Sequence, residues 1–425
     1  MKRRTFVSTL SLFFQSGYSA GLGLVANLIL TIALSPKIFG IYITVLSLIS
    51  FLNYFSDIGL AGALIQKKEL EEADLVTTFT VQQGLTFILI MLGYFASSFI
   101  KDFYKLPPEG IYLFWALLIA FFISSMKTIP SIFLERKIKF QKIVFVQIVE
   151  NTVFYITVCI LALFGWGLTS FTIAVLLRSI VGLILIYSLS FWMPKIGFSK
   201  QSFNDLVKFG LPFQASSFLA LFKDDLIILY LGKVLGFEAL GYIGWAKKWA
   251  DAPIRIIMDN ISKVIFPLIA RYQDQKEKIQ RLCSKIFILQ AFSLVPIYIL
   301  AIVLMPFLVQ IIPRYYKWQP AIPLFDIFCI SSIILSFSAP FINIYNALGK
   351  VKKTFQYMTI FTIITWLLTP LFVHIYGPIG FPYAHLGVSL AFLIVLYQAK
   401  KDIGFSLKRE DLNITSVFKS LYRNE

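Results

Sequence analysis

Fourteen ionisable side chains sit inside stretches of this sequence that are otherwise apolar. They are Asp57, Lys127, Glu150, Arg178, Lys223, Asp224, Asp225, Lys247, Lys248, Asp251, Arg255, Asp259, Lys263 and Asp326. Seven are cations and seven are acids, so the set can cancel its own charge. A charge facing lipid at mid-depth costs about 3 kcal/mol even on the mildest scale. Fourteen such costs would reach about 40 kcal/mol, against a folding stability of about 5 to 15 kcal/mol. Most of these groups must therefore pair, line a wet cavity or reach an interface. Cations held this way suit charge-assisted hydrogen bonds to a phosphate-type anion. The candidates for that role are Arg178, Lys223, Lys247, Lys248, Arg255 and Lys127. Carboxylates held this way can balance those cations or bind a proton or sodium ion that drives a cycle, and the candidates are Asp57, Asp224, Asp225 and Asp251.

Lys247, Asp251, Arg255, Asp259 and Lys263 alternate in sign at steps of four, so neighbours meet on one helical face. Such a ladder can neutralise itself, or yield its partners to a ligand. Trp245 and Trp249, also four apart, can stack on sugar rings or simply pack between helices. No constellation for catalysis or metal binding is present. His374 and His385 lack an H-x-x-x-H partner, no phosphate-binding loop occurs, and Cys159, Cys283 and Cys329 lie far apart without C-x-x-C spacing.

The elements that must position these charges are transmembrane helices. Of 425 residues, 58% are apolar and 14% charged, whereas a soluble domain is about one quarter charged. The stretches Thr5 to Pro36, Leu75 to Ile100, Ile286 to Pro313 and Thr354 to Ala399 contain no charged residue. About twenty apolar residues suffice to cross a bilayer. The pattern predicts twelve spans, at about 6–34, 38–65, 75–100, 111–134, 143–165, 168–193, 209–232, 238–270, 286–312, 322–348, 354–376 and 379–399. The first is too long for a cleaved signal and is expected to remain as an anchor. Counting about 1.5 Å per residue from the span ends, Arg178, Lys223 to Asp225 and Lys247 to Asp251 fall near the middle. Asp57, Lys127, Glu150 and Arg255 fall in the half nearer the basic loops, and Asp326 lies near the opposite face.

Alternate loops differ sharply in charge. One side holds 26 Lys and Arg residues, among them Lys67, Arg136, Lys142 and Lys353, and the other holds six. Basic loops stay in the cytoplasm, so both termini are expected there. The net charge of +17 belongs mostly to those loops, as topology and anionic lipid require; nucleic acid is not an expected partner.

The halves echo one another. Phe14, Gln15, Ser16 correspond to Phe213, Gln214, Ala215, and Phe39, Gly40 to Leu240, Gly241, at offsets of 199 and 201 residues. Lys137, Ile138, Lys139, Phe140 and Gln141 resemble Lys350, Val351 and Lys352 with Phe355 and Gln356. The economical reading is an N-terminal six-helix lobe (1–195), a cytoplasmic amphipathic linker (196–208), a C-terminal six-helix lobe (209–400) and a cytoplasmic tail (401–425). Transporters are often built so, with a site at the repeat interface. At mid-membrane, a lipid pyrophosphate is the anion that a cationic cavity fits.

Asp57, Ile58, Gly59, Leu60 with Ala63 to Lys68 and the acidic run to Asp74 resemble the end of the second helix in Wzx-type polysaccharide flippases. Phe209 to Pro212, Asp225, Leu240 to Tyr242, and Phe266, Pro267 with Arg271 resemble the seventh and eighth helices of that family. The resemblance covers about residues 1–400. It implies the all-α, V-shaped fold of the multidrug/oligosaccharidyl-lipid/polysaccharide exporter superfamily, with two six-helix lobes opening alternately to either side. It further implies flipping of undecaprenyl-diphosphate-linked O-antigen or exopolysaccharide units across the bacterial inner membrane. No cofactor beyond a coupling proton or sodium ion is implied. Membrane lipids are implied as surroundings, and a polysaccharide polymerase and chain-length proteins as partners. The alternatives are a drug or small-molecule antiporter of the same fold and a membrane polymerase.

Overall fold

A computed structural model describes residues 2–272 and 275–404. All regular structure among them is helical: α1 (Lys2–Ala33), α2 (Pro36–Asn53), α3 (Leu60–Gln66), α4 (Glu72–Tyr104), α5 (Pro108–Ser125), α6 (Thr128–Arg136), α7 (Phe140–Leu163) and α8 (Thr169–Leu189) come first. After them α9 (Lys200–Ala220) passes through a π-helical turn, Leu221–Asp225, into α10 (Leu226–Arg271). The described residues then form α11 (Lys276–Ile311), α12 (Ile322–Ala347), α13 (Val351–Tyr376), α14 (Gly380–Ala391) and α15 (Leu393–Ile403).

Ten helical segments among the described residues are long and apolar enough to cross a membrane. Two of them contain a break. Leu221–Ile257 is interrupted at Gly236, whose φ of 78° and ψ of 172° suit glycine alone. Val351–Ile403 is interrupted by the 3₁₀ turn Gly377–Ile379. The ten segments therefore make twelve crossings, and the chain is a multi-pass membrane protein of about the expected span count.

Two expected spans are divided by non-helical intervals or turns into a long helix and a short one, and the last, 379–399, is divided at Phe392 between α14 and α15. The second breaks after Asn53, with Ile58 and Gly59 both at positive φ before α3 begins. The fourth breaks at Met126 and Lys127 between α5 and α6. Each of these two breaks holds a single charged residue, Asp57 or Lys127, within a mostly apolar stretch, so hydropathy alone reads through both. The two short helices pack together over a core of Leu60, Ala63, Leu64, Leu75, Phe79, Ile129, Ile132 and Leu206.

By packing, the chain forms two compact units, Met1–Gly241 and Tyr242–Glu425. The seventh crossing belongs with the first unit because it runs antiparallel beside α2 and α3. Gly59 meets Gly210 backbone to backbone, Gln214 Nε2 donates to the Tyr54 carbonyl at 2.8 Å, and Gly232 leaves room for Thr44. At the far end the contact is reciprocal. A Cβ on Gly40 would fall on the Phe237 carbonyl oxygen, and one on Gly241 on the Pro36 carbonyl oxygen. Pro36 and Phe237 share the 201-residue offset of Gly40 and Gly241. Each position thus touches its counterpart's neighbour, as a local two-fold relation between α2 and the start of α10 produces.

The second unit packs α12 against α11, α14 and α15, and α13 against α14. Its core includes Ile286, Phe341, Tyr345, Phe361, Phe392 and Val395.

Candidate functional site

In the first unit the charged groups are set by α7, α8 and the α5–α6 break. Lys127, at that break, places its Nζ 2.6 Å from Glu150 Oε1 of α7, and the carboxylate side chain is only 8% exposed. Gly182 of α8 makes the room: a Cβ there would fall on the Glu150 carboxylate. Four residues earlier on α8, Arg178 is exposed and lies 5.7 Å from the centre of the Phe154 ring. Among the described residues Arg178 has no carboxylate at bridging distance. Beside it, Tyr42 stacks on Phe171 with ring centres 4.0 Å apart.

The π turn carries the next group. Such turns widen a helix by one residue and are frequent at functional sites. Here the turn leaves Asp224 exposed, Lys223 half-buried and 3.7 Å from it, and Asp225 half-buried beside Ser50 of α2. Tyr54, one turn on from Ser50, lies within electrostatic reach of both carboxylates. Thus α2 faces Arg178 with Tyr42, and Ser50 with Tyr54 just beyond the helix end faces the acidic turn.

Asp57 has local work. Its carboxylate accepts the Ala61 amide hydrogen at 3.1 Å in the first turn of α3. The other end of α3 is held by Arg136, whose guanidinium donates to the carbonyls of Leu64, Ile65, Lys67 and Lys68. Lys67 in turn bridges to the fully buried Asp74 at 2.7 Å, and that hydrogen bond raises the Lys67 pKa. Asp74 also closes a capping box with Glu71 at the start of α4. The Asp-Ile-Gly-Leu motif and the basic loop residue Arg136 therefore build one clasp around α3, a role that charge counting missed.

In the second unit Lys247 Nζ bonds Asp251 Oδ2 at 2.9 Å and lies 5.9 Å from the Phe328 ring centre. Lys248 and Arg255 are exposed, with no carboxylate at bridging distance among the described residues. The side chains of Asp259 and Lys263 lie outside the described ones. Asp326 is half-buried on α12. Trp245 is a core residue: it is 1% exposed, stacks on Trp318 with centres 5.6 Å apart, and donates to the Tyr315 hydroxyl at 3.0 Å. Packing thus accounts for Trp245, and His385 is packed between Phe328 and Phe381.

The six cations singled out in the sequence thus fall into two kinds. Lys127 and Lys247 hold close acidic partners, with Lys223 more loosely paired; Arg178, Lys248 and Arg255 have none among the described residues. A neutral polar seam between α1 and α7, formed by Gln15, Ser19, Gln147 and Asn151, had no charge to announce it. Its spacing in steps of four was the available signal.

The profile of the family described as "Polysaccharide biosynthesis protein" matches residues 29–323. The lipopolysaccharide biosynthesis protein WzxC of Escherichia coli K12 is 25% identical over 382 residues, covering 88% of this chain and 75% of that protein. In fold, the chain is similar to the lipid II flippase MurJ in an inward closed conformation, with a TM-score of 0.74 at 17% identity over 99% of this chain and 93% of that one. An inward-facing multidrug resistance MATE family transporter of the MOP superfamily gives 0.70 at 14% identity, over 91% and 94%.

Proposed function

Because this chain belongs to the polysaccharide biosynthesis protein family, we infer that it flips lipid-linked glycan units across a membrane. The substrate is an undecaprenyl-diphosphate-linked oligosaccharide, and the membrane is the bacterial inner membrane with both chain termini on the cytoplasmic side. The observation that carries the reading is Arg178. A guanidinium in a crossing helix, supported by an aromatic ring and with no carboxylate at bridging distance among the described residues, is costly in an empty site and suited to a diphosphate. A relative named for lipopolysaccharide biosynthesis and a shared fold with a lipid II flippase support the same substrate class. Six-helix repeats at 1–195 and 209–400, alternating access, and a proton or sodium ion bound by Asp224 or Asp225 complete the proposal.

The test is deletion followed by locating the lipid-linked oligosaccharide between leaflets. Accumulation in the cytoplasmic leaflet is expected; accumulation in the outer leaflet would instead indicate a polymerase. Within the same assay, Arg178→Gln should lower export roughly tenfold or more at unchanged membrane abundance, since a charge-assisted contact is worth about 1.5 to 3 kcal/mol. Full export by that variant would remove the diphosphate contact.

A further inference from the structure

The first and fifth crossings, α1 and α7, are joined by polar groups that carry no formal charge. Gln15 Nε2 donates to Gln147 Oε1 at 2.5 Å, and Asn151 Nδ2 to Ser19 Oγ at 3.2 Å. Tyr18 donates to Thr152 Oγ1 at 2.8 Å, since Thr152 passes its own proton to the Ile148 carbonyl. Further along, Gly23 faces the Tyr155 hydroxyl and Cys159 aims its thiol at the Ala26 carbonyl. Positions 15, 19 and 23 on one helix meet 147, 151 and 155 on the other, one stripe against one stripe.

Interhelical hydrogen bonds of this kind hold helices together in lipid. The Tyr18–Thr152 rung fits that role, because both hydroxyl protons are used. The amides do not close in this way. An amide offers two donor hydrogens and two acceptor lone pairs. Among the described residues, the Gln15–Gln147 bond uses one hydrogen of Gln15 and one lone pair of Gln147. The Asn151 side-chain oxygen receives no donor among the described residues. Gln147 is exposed, and Gln15 and Asn151 are half-buried. Open amide valences in hydrocarbon cost several kcal/mol each, so this face meets water or a polar ligand. It also adjoins the cation: Phe154, three residues beyond Asn151, lies against Arg178.

We propose that Gln15, Gln147 and Asn151 form a sugar-reading subsite, which contacts the glycan while Arg178 contacts the diphosphate. The subsite rests on the lipid-linked glycan reading above. Amides suit it because each presents a donor and an acceptor side by side, which matches hydroxyl and acetamido groups without adding charge.

The experiment uses the full chain in proteoliposomes with two probes. One is a polyprenyl diphosphate bearing a single N-acetylhexosamine; the other is the lipid-linked repeat unit extracted from the producing cells. Translocation is read as exposure to membrane-impermeant periodate. Gln147→Leu and Asn151→Leu are expected to slow the repeat unit at least about tenfold and the single-sugar probe less than about threefold. Gln147→Glu keeps the acceptor for Gln15, loses the amide donors, and should show the same selective loss. Tyr18→Phe removes a closed rung and should leave the ratio between probes unchanged. Equal slowing of both probes by the amide variants overturns the subsite, as does a Tyr18→Phe variant with the same selectivity. Unmodified protein that moves neither probe overturns the transport reading itself.

Discussion

Gly241→Ala is expected to destabilise the protein and abolish most export, while Gly84→Ala leaves both near normal. The difference lies in what the new methyl group meets. On Gly84 it meets nothing within 4 Å, whereas on Gly241 it falls on the Pro36 carbonyl oxygen. That oxygen is backbone at the first turn of α2 and cannot rotate away, so the helices themselves must separate. Overpacking of this kind costs about 1 to 3 kcal/mol, more where backbone must move. Gly40→Ala meets the Phe237 carbonyl in the same manner and should resemble Gly241→Ala.

The reciprocal geometry makes the double variant informative. Once one methyl has pushed the helices apart, the second finds the space already opened. The combined loss in melting temperature should therefore fall well short of the sum of the two, as expected for coupled neighbours. Detergent-purified protein and a thermal melt suffice to measure it. Additive losses would mean that the two contacts open independently, and the two-fold reading of the crossing would fail.

These glycines also mark how far the sequence could be read. Their repeat offset was visible, but the contact between them was not, because glycine has no side chain to signal a partner. The spans were legible because hydrocarbon demands about twenty apolar residues whatever the packing. The breaks at 54–59 and 126–127 were hidden because each holds one charge, Asp57 or Lys127, that the apolar residues on either side outweigh. Charge counting singled out Lys127, Glu150 and Arg178, yet could not separate a paired cation from one without a carboxylate at bridging distance among the described residues. Only the Gly182 gap shows that Glu150 is held against α8 within reach of Lys127. Asp57 reads as a membrane charge in the sequence, and becomes a helix-starting acceptor once the α2–α3 break is seen. The amide seam is neutral throughout, so no cost of burial drew attention to it.

The Lys127–Glu150 pair turns that distinction into the second large effect. Removing one partner of a buried ion pair costs about 3 to 5 kcal/mol, because the other charge is left without compensation. Lys127→Met should be the worse single change. It strands a carboxylate that is 8% exposed, whereas Glu150→Gln strands an ammonium that is 19% exposed and sits at a helix break. Glutamine also keeps the shape that Gly182 accommodates. The double variant Lys127→Met with Glu150→Gln leaves neither charge, and most of the lost stability should return, since apolar or neutral replacement of a buried pair is often nearly neutral. Export measured beside the thermal melt then decides the role of Lys127. With its ammonium already 2.6 Å from Glu150, export is expected to recover together with stability. A double variant that melts like the parent protein but exports nothing would show instead that Lys127 leaves Glu150 to meet the substrate during the cycle.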